Sequence, residues 1–216
     1  MRHTLAAQVL ARAVKNLYPK SKLAIGPTIK DGFYYDVECK ETISIDDLKK
    51  IEKEMDKIVK TKSSITKKLL SKKDALKVFK DKDESYKEEI INDSDQEDEF
   101  QLYYQDDEDF VDLCKGPHLP NLNFIGAYKL TTISGAYWKG DSSNTMLTRI
   151  YGTAWSNEKD LNEHLNNIEE AQKRDHRKLG KEMDLFHFQD EAPGMVFWHP
   201  NGSVSYTHLR AHETLV

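Results

Sequence analysis

The chain has 216 residues, with 32 Lys and Arg against 37 Asp and Glu, a formal net charge of -5. A mean hydropathy of -0.73 and the lack of any apolar run near the ~18 residues of a bilayer span exclude a membrane-spanning protein, so a soluble globular chain is expected. Trp 3, Tyr 10 and Phe 8 argue against global disorder, and the net acidity excludes a uniformly basic nucleic-acid coat while allowing a local basic patch.

The opening Met1-Arg2-His3-Thr4 lacks a basic region followed by an apolar core, so no signal peptide is expected. Residues 5–18 read as a helix, because Leu5, Val9, Ala13 and Leu17 step by four and Pro19 closes the segment. Ala24 to Asp36 reads as a hairpin turning at Lys30-Asp31-Gly32. Ser44-x-x-Asp47 predicts a capping box, followed by a helix whose apolar face is Leu48, Ile51, Met55, Ile58 and Val59. Ser71-x-x-Asp74 opens another helix in the same way, carrying Leu76 and Phe79. From Asn92 to Asp109 nine of eighteen residues are acidic, which predicts a solvated hairpin or loop. Phe110 to Trp138 alternates apolar runs with Gly and Pro and reads as strands, and Asn157 to about Leu185 reads as one long polar helix with a thin stripe of Leu161, Leu165, Ile168, Ala171 and Leu179.

Only two cysteines occur, Cys39 and Cys114, without C-x-x-C spacing; this excludes a disulfide framework and a zinc ribbon and fits a reducing cytoplasm. The densest candidate for chemistry is Asp112-Leu113-Cys114-Lys115-Gly116-Pro117-His118, where a Gly-Pro turn brings a thiol and an imidazole toward one point. With a further His the pair would make an open three-ligand metal site. Without metal it would orient a water or hydroxyl. The plain alternative is a buried Cys and a loop His. His3 at the mouth of the first helix and the Lys139-Gly140-Asp141 turn acquire no role from spacing alone. The run Lys173-Arg174-Asp175-His176-Arg177-Lys178 offers cations to phosphates, or simply a solvated helix face.

Six strings, AIGPTIKDGFYYD (24–36), ESYK (84–87), VDLCKGPH (111–118), SGAYWKGDSSNTMLTRIYGTAW (134–155), EAQKRDHRKLGKEMDLF (170–186) and DEAPGMVFWHPNG (190–202), resemble the threonyl-tRNA synthetases in order and spacing. The resemblance implies an α+β fold, an antiparallel sheet with packed helices, for the second additional (editing) domain over 1–155. A connecting helix over 156–186 and the start of a class II catalytic domain over 187–202 follow, and 203–216 does not match the family. It implies that Cys114, His118, Asp112, Lys87 and His3 are the catalytic residues of a site that hydrolyses mischarged seryl-tRNA. Gln8, Gly26, Tyr34 and Tyr35 would bind substrate, and Lys173, Arg174, Arg177 and Lys178 would bind tRNA. No metal is expected in this stretch, His3, Cys114 and His118 being weak candidates, whereas ATP, Mg and a catalytic-domain Zn are implied for the full-length threonine-tRNA ligase. The implied partner is threonine-acceptor tRNA, with no membrane, a cytoplasmic setting and a homodimer of the full-length protein. An acceptor-end binding module that has lost hydrolysis is the alternative.

The family's first helix carries His-x-x-x-His, two imidazoles one turn apart on one face. Here Ala7 stands four residues after His3. Aligning the downstream AAQVLARAV instead puts Gln8 at the second His, one residue late. Glutamine forms hydrogen bonds but does not titrate near neutrality.

Overall fold

The computed structural model describes residues 1–96, 98–105 and 109–213, with side chains through 211. Helix α1 (Arg2–Leu17) buries Leu5, Val9 and Ala13, as the four-residue step predicts, and ends before Pro19. It packs on a sheet of β1 (Lys22–Leu23), β2 (Thr28–Ile29) and β3 (Gly32–Glu38), completed by β7 (Ala127–Tyr137) and β8 (Met146–Trp155). The order is β1-β3-β8-β7, with β2 also on β3, and every pairing is antiparallel. The pair Ile29↔Gly32 closes the predicted hairpin over Lys30 and Asp31.

The capping box at Ser44 and Asp47 is present and leads through one 3-10 turn into α2 (Leu48–Lys60). Leu48, Ile51, Met55 and Ile58 of this helix are buried, so its apolar face closes the main core against α1. A second antiparallel sheet follows, β4 (Ile65–Leu70), β5 (Phe100–Gln105) and β6 (Phe110–Leu113), in the order β4-β5-β6. Helices α3 (Lys72–Asp81) and α4 (Ser85–Asn92) lie between β4 and β5 in sequence, and Ser71 caps α3 by accepting from the Asp74 amide. Ala75, Phe79, Ile91, Phe100, Leu102, Tyr104 and Val111 form the core of this layer. The architecture is the expected α+β arrangement.

Two expectations are corrected. The acidic segment does contain a hairpin, but its strand Phe100–Gln105 is buried rather than solvated. The acids flank the FQLYYQ core of that segment, and a composition averaged over it hides the strand; Glu97 and Asp106–Glu108 lie outside the described residues. The long polar helix is two helices, α5 (Glu158–Lys173) and α6 (His176–Glu182). Asp175 separates them by capping α6, its carboxylate accepting from the Arg177 amide at 2.8 Å.

The chain divides into two compact units, Met1–Leu161 and Asn162–Val216. In the second, β9 (Phe186–His187) pairs antiparallel with β10 (Phe197–Trp198), and α7 (Pro200–Glu213) follows.

Glu84, 5% exposed, ties three elements of the first unit together. It precedes α4, accepts from the Lys15 ammonium of α1 at 2.6 Å, and accepts from the Leu23 amide of β1 at 2.7 Å. Glu84→Ala strands both donors and is expected to cost about 2–4 kcal/mol in urea unfolding. Lys57→Ala, which removes only an exposed pair with Glu54, is expected to stay within about 0.5 kcal/mol. Equal midpoints for the two variants would contradict this role for Glu84.

Candidate active site

Strand alternation sends Phe33, Tyr35 and Val37 of β3 into the core and Tyr34 and Asp36 to the other face. On that other face Tyr34 lies under the Arg149 guanidinium, 4.0 Å from ring centroid to Cζ, and Arg149 makes a two-pronged ion pair with Asp36 at 2.7 Å. Tyr34 therefore lies on the face opposite Tyr35 and does not line the cleft beside Lys87.

Tyr35 points to the junction of the two sheets, where it meets Lys87 from α4 and Asp112 from β6. The Tyr35 hydroxyl donates to Asp112 at 3.0 Å and accepts from the Lys87 ammonium at 3.0 Å. Lys87 also donates to Asp112, which accepts in addition from the Leu113 amide at 2.8 Å. Lys87 is 2% and Asp112 3% exposed, so each charge depends on the other for compensation. Burial, and then the Asp112 carboxylate, push the Tyr35 hydroxyl well above its ordinary pKa, so it stays a donor.

Of this network Lys87 reaches the wall of an open cleft of about 700 Å³, lined also by Thr4, Gly26, Gln101, Cys114 and Gly116, whereas Tyr35, Asp112 and His118 stand behind the lining. Gly26 meets a close-approach requirement: a Cβ there would lie 2.2 Å from the Tyr35 ring. Gly116 has φ 65°, and a Cβ would lie 2.0 Å from the Tyr103 hydroxyl. The Gly116–Pro117 peptide is cis.

The turn after β6 places Cys114 on the cleft wall, its sulfur accepting from the Gly116 amide at 3.4 Å. His118 lies against Tyr103 with ring centroids 4.1 Å apart and the planes tilted by 50°, and neither ring nitrogen meets a hydrogen-bond partner among the described residues. Burial lowers the His118 pKa to about 4 despite the opposing pull of Asp112, and burial raises that of the Cys114 thiol. At neutral pH the arrangement therefore presents a neutral imidazole and a protonated thiol. Such a pair suits holding and deprotonating a water, not a thiolate nucleophile.

Of the remaining expected residues, Gly26 lies on the cleft, but His3 does not line it. His3 stands near Phe33 and Trp155, with centroids 6.3 and 6.4 Å away. The helix register instead turns Thr4 into the cleft and Gln8 one turn behind it, while Ala7 is core. Gln8 is 2% exposed and accepts from the Gln105 amide at 3.4 Å. Sequence reasoning missed Thr4, Tyr103 and Gln105. The i, i+4 relation of Thr4 to Gln8 and the two-residue step from Gln101 through Tyr103 to Gln105 were the available signals. Among the described residues no group of three His, Cys, Asp or Glu is arranged to hold a metal, and His3, Cys114 and His118 do not converge; no step is derived through a metal ion.

In the second unit the basic run is laced with acids. Lys173 pairs with Glu169 and Glu170, Arg174 with Glu170, Arg177 with Asp175, and Lys178 with Glu182. These pairs are exposed and exchangeable, so the cations remain accessible to an external anion.

Residues 101–151, which contain Asp112, Cys114 and His118, match the family described as Threonyl and Alanyl tRNA synthetase second additional domain. The chain is 50% identical over 98% of its length to the threonine–tRNA ligase of Prochlorococcus marinus (strain MIT 9211). It is 53% identical over 97% of its length to that of Legionella pneumophila subsp. pneumophila (strain Philadelphia 1). Against the threonine–tRNA ligase of Francisella philomiragia subsp. philomiragia the figures are 53% and 94%. It spans about a third of each relative: 33%, 32% and 31%. Nearly the whole chain is thus similar to about a third of a threonine–tRNA ligase, and its residues 101–151 match the second additional domain of the threonyl- and alanyl-tRNA synthetases.

Proposed function

We propose that this stretch is the editing module of a threonine–tRNA ligase and hydrolyses the ester of seryl-tRNA. The observation that carries the reading is the cleft lined by both Cys114 and Lys87, the latter held from behind by Asp112 and Tyr35, in a chain about half identical to threonine–tRNA ligases. Attachment of threonine to tRNA with ATP and Mg, a Zn-bearing catalytic domain, a homodimer and a cytoplasmic setting are proposed for the whole protein only.

The chemistry supports such a division of labour. Serine lacks one methyl of threonine, and a pocket distinguishes one such group by only about 1–3 kcal/mol, so a second, hydrolytic site is needed. The cleft is within the ~300–1,000 Å³ usual for small-ligand sites, large enough for an aminoacylated terminal nucleoside. Its wall holds the Lys87 ammonium, fixed from behind by the Asp112 carboxylate and able to orient the hydroxyl of serine. The neutral His118 imidazole, two residues beyond the Gly116 wall and with both ring nitrogens buried, is a proton acceptor that an internal water would connect to the ester. Proximity supplies the rest, since ester and water are held at one point.

A second reading, acceptor-end binding without hydrolysis, is favoured by one observation. The helix face at the cleft bears Thr4 and Gln8 and no imidazole. Deacylation assays with seryl- and threonyl-tRNA separate the two readings. His118→Ala is expected to slow seryl-tRNA hydrolysis about 10²-fold, and Gln8→His to raise it. An unmodified chain that binds tRNA but leaves seryl-tRNA intact establishes the second reading.

The pH profile is a separate check. As a base, His118 acts when neutral, and its pKa is lowered to about 4. Hydrolysis is therefore expected to hold level from pH 8 to about 5 and to fall as pH drops through 4, with folding followed in the same buffers. A fall centred near about 6.5, the value of an open histidine, would rule out this burial-tuned role.

For tRNA binding, Lys173, Arg174, Arg177 and Lys178 are proposed to exchange their local carboxylates for phosphates. With about three such contacts, log affinity is expected to fall against log salt with a slope near -2 to -3. Arg174→Gln with Arg177→Gln should flatten the slope by about 1–2 units; an unchanged slope removes this helix pair from the interface.

A further inference from the structure

The face of α1 that begins at the cleft with Thr4 continues one turn later as Gln8 and another turn later as Arg12, both buried. Opposite it, alternate residues of β5 present Gln101 at the cleft, then Tyr103 beside His118, then Gln105, which is 0% exposed. The other face of the strand, Phe100, Leu102 and Tyr104, is core. The two elements are joined at Gln8 and Gln105, and Arg12, one turn further along α1, pairs with Asp109 at the end of the hairpin.

At this junction the hydrogen bonding is incomplete. The Gln105 amide nitrogen donates to the Gln8 carbonyl at 3.4 Å. The Gln8 Nε2 donor and the Gln105 Oε1 acceptor, both buried, find no partner among the described residues, and neither do the two nitrogens of His118. Stranding such groups costs about 1–3 kcal/mol each, and a donor beside an acceptor is the arrangement that one internal water satisfies by accepting from one and donating to the other. Gln105 lies one two-residue strand step, about 7 Å, from Tyr103, and Gln8 one helical turn, about 5–6 Å, from Thr4. One or two waters span either distance.

We propose that Gln8 and Gln105 hold an internal water that feeds the hydrolytic centre at His118, with Gln105 acting as a positioning residue through that water. The inference rests on the editing function proposed above for its chemistry, but not for the existence of the water. Water reaching the ester gives a proton to His118, its hydroxyl bonds to the acyl carbon as the bond to the ribose oxygen breaks, and His118 returns the proton to that oxygen, so the reaction balances as ester plus water to serine plus tRNA.

The test has two arms on the same chain. A crystal structure at high resolution is expected to show a water within hydrogen-bond distance of both Gln8 Nε2 and Gln105 Oε1. Seryl-tRNA hydrolysis is expected to lose at least tenfold in kcat in Gln105→Leu and in Gln8→Leu, with KM unchanged. The double variant should be no slower than either single, because both remove one shared water. Thermal unfolding of the double variant, in which neither partner is left stranded, should be unchanged or raised. Absence of the water, additive losses, or an unaltered kcat would overturn the inference. A chain that holds the water yet never hydrolyses seryl-tRNA overturns the editing function and leaves the water site standing.

Discussion

The structure turns on the burial of one ammonium and one carboxylate at the seam of two sheets. Lys87 and Asp112 are almost wholly removed from water, and their attraction offsets that loss only because other groups complete their coordination. Tyr35 bridges them, and the Leu113 amide takes a further lone pair of the carboxylate. The three side chains come from β3, α4 and β6, so the network registers the larger sheet against the smaller one. Apolar residues of similar volume would join the sheets at least as well. What they would not do is place a fixed positive charge on the wall of a cleft, and this is the physical ground for treating the network as chemical equipment.

Around the cleft, burial sets the protonation state of two groups. Burial holds the His118 imidazole neutral and the Cys114 thiol protonated. Groups that keep one protonation state across the working pH range supply steady geometry. Under the proposed editing function this matches an ester hydrolysis in which the positioning of a water carries most of the rate.

Much of this was legible from periodicity and caps. The capping boxes at Ser44 and Ser71 and the Leu48–Ile58 stripe reappear in α2 and α3, because these signals are local and each one satisfies a helix end or a core face. Strand β4 escaped notice because Ile65–Leu70 is an edge strand with two lysines and little burial, so it lacks the alternation of a half-buried strand. Strand β5 was masked by the acids on either side of it. In the site, VDLCKGPH announced Asp112, Cys114 and His118, whereas Thr4 and Gln105 were silent. Their relevance comes from helix register and strand face, which the spacing of single residues does not reveal. Tyr34 and Tyr35 are adjacent in sequence, yet the pleat puts them on opposite faces.

The bare backbone at Gly26 carries a consequence of another kind. The Tyr35 ring fills the space that any side chain at position 26 would need, so the wall of the cleft there is main chain pressed against the same tyrosine that holds Lys87 and Asp112. Widening or narrowing the cleft at this point by substitution would push Tyr35 off its partners. Substrate preference and the integrity of the fold are therefore inherited together at this position, and few viable sequences lie within one mutation of it. An evolving lineage must retune the cleft from its other walls, which include Thr4 and Gln101, and this chain's departures from the His-x-x-x-His pattern fall on the helix that bears Thr4.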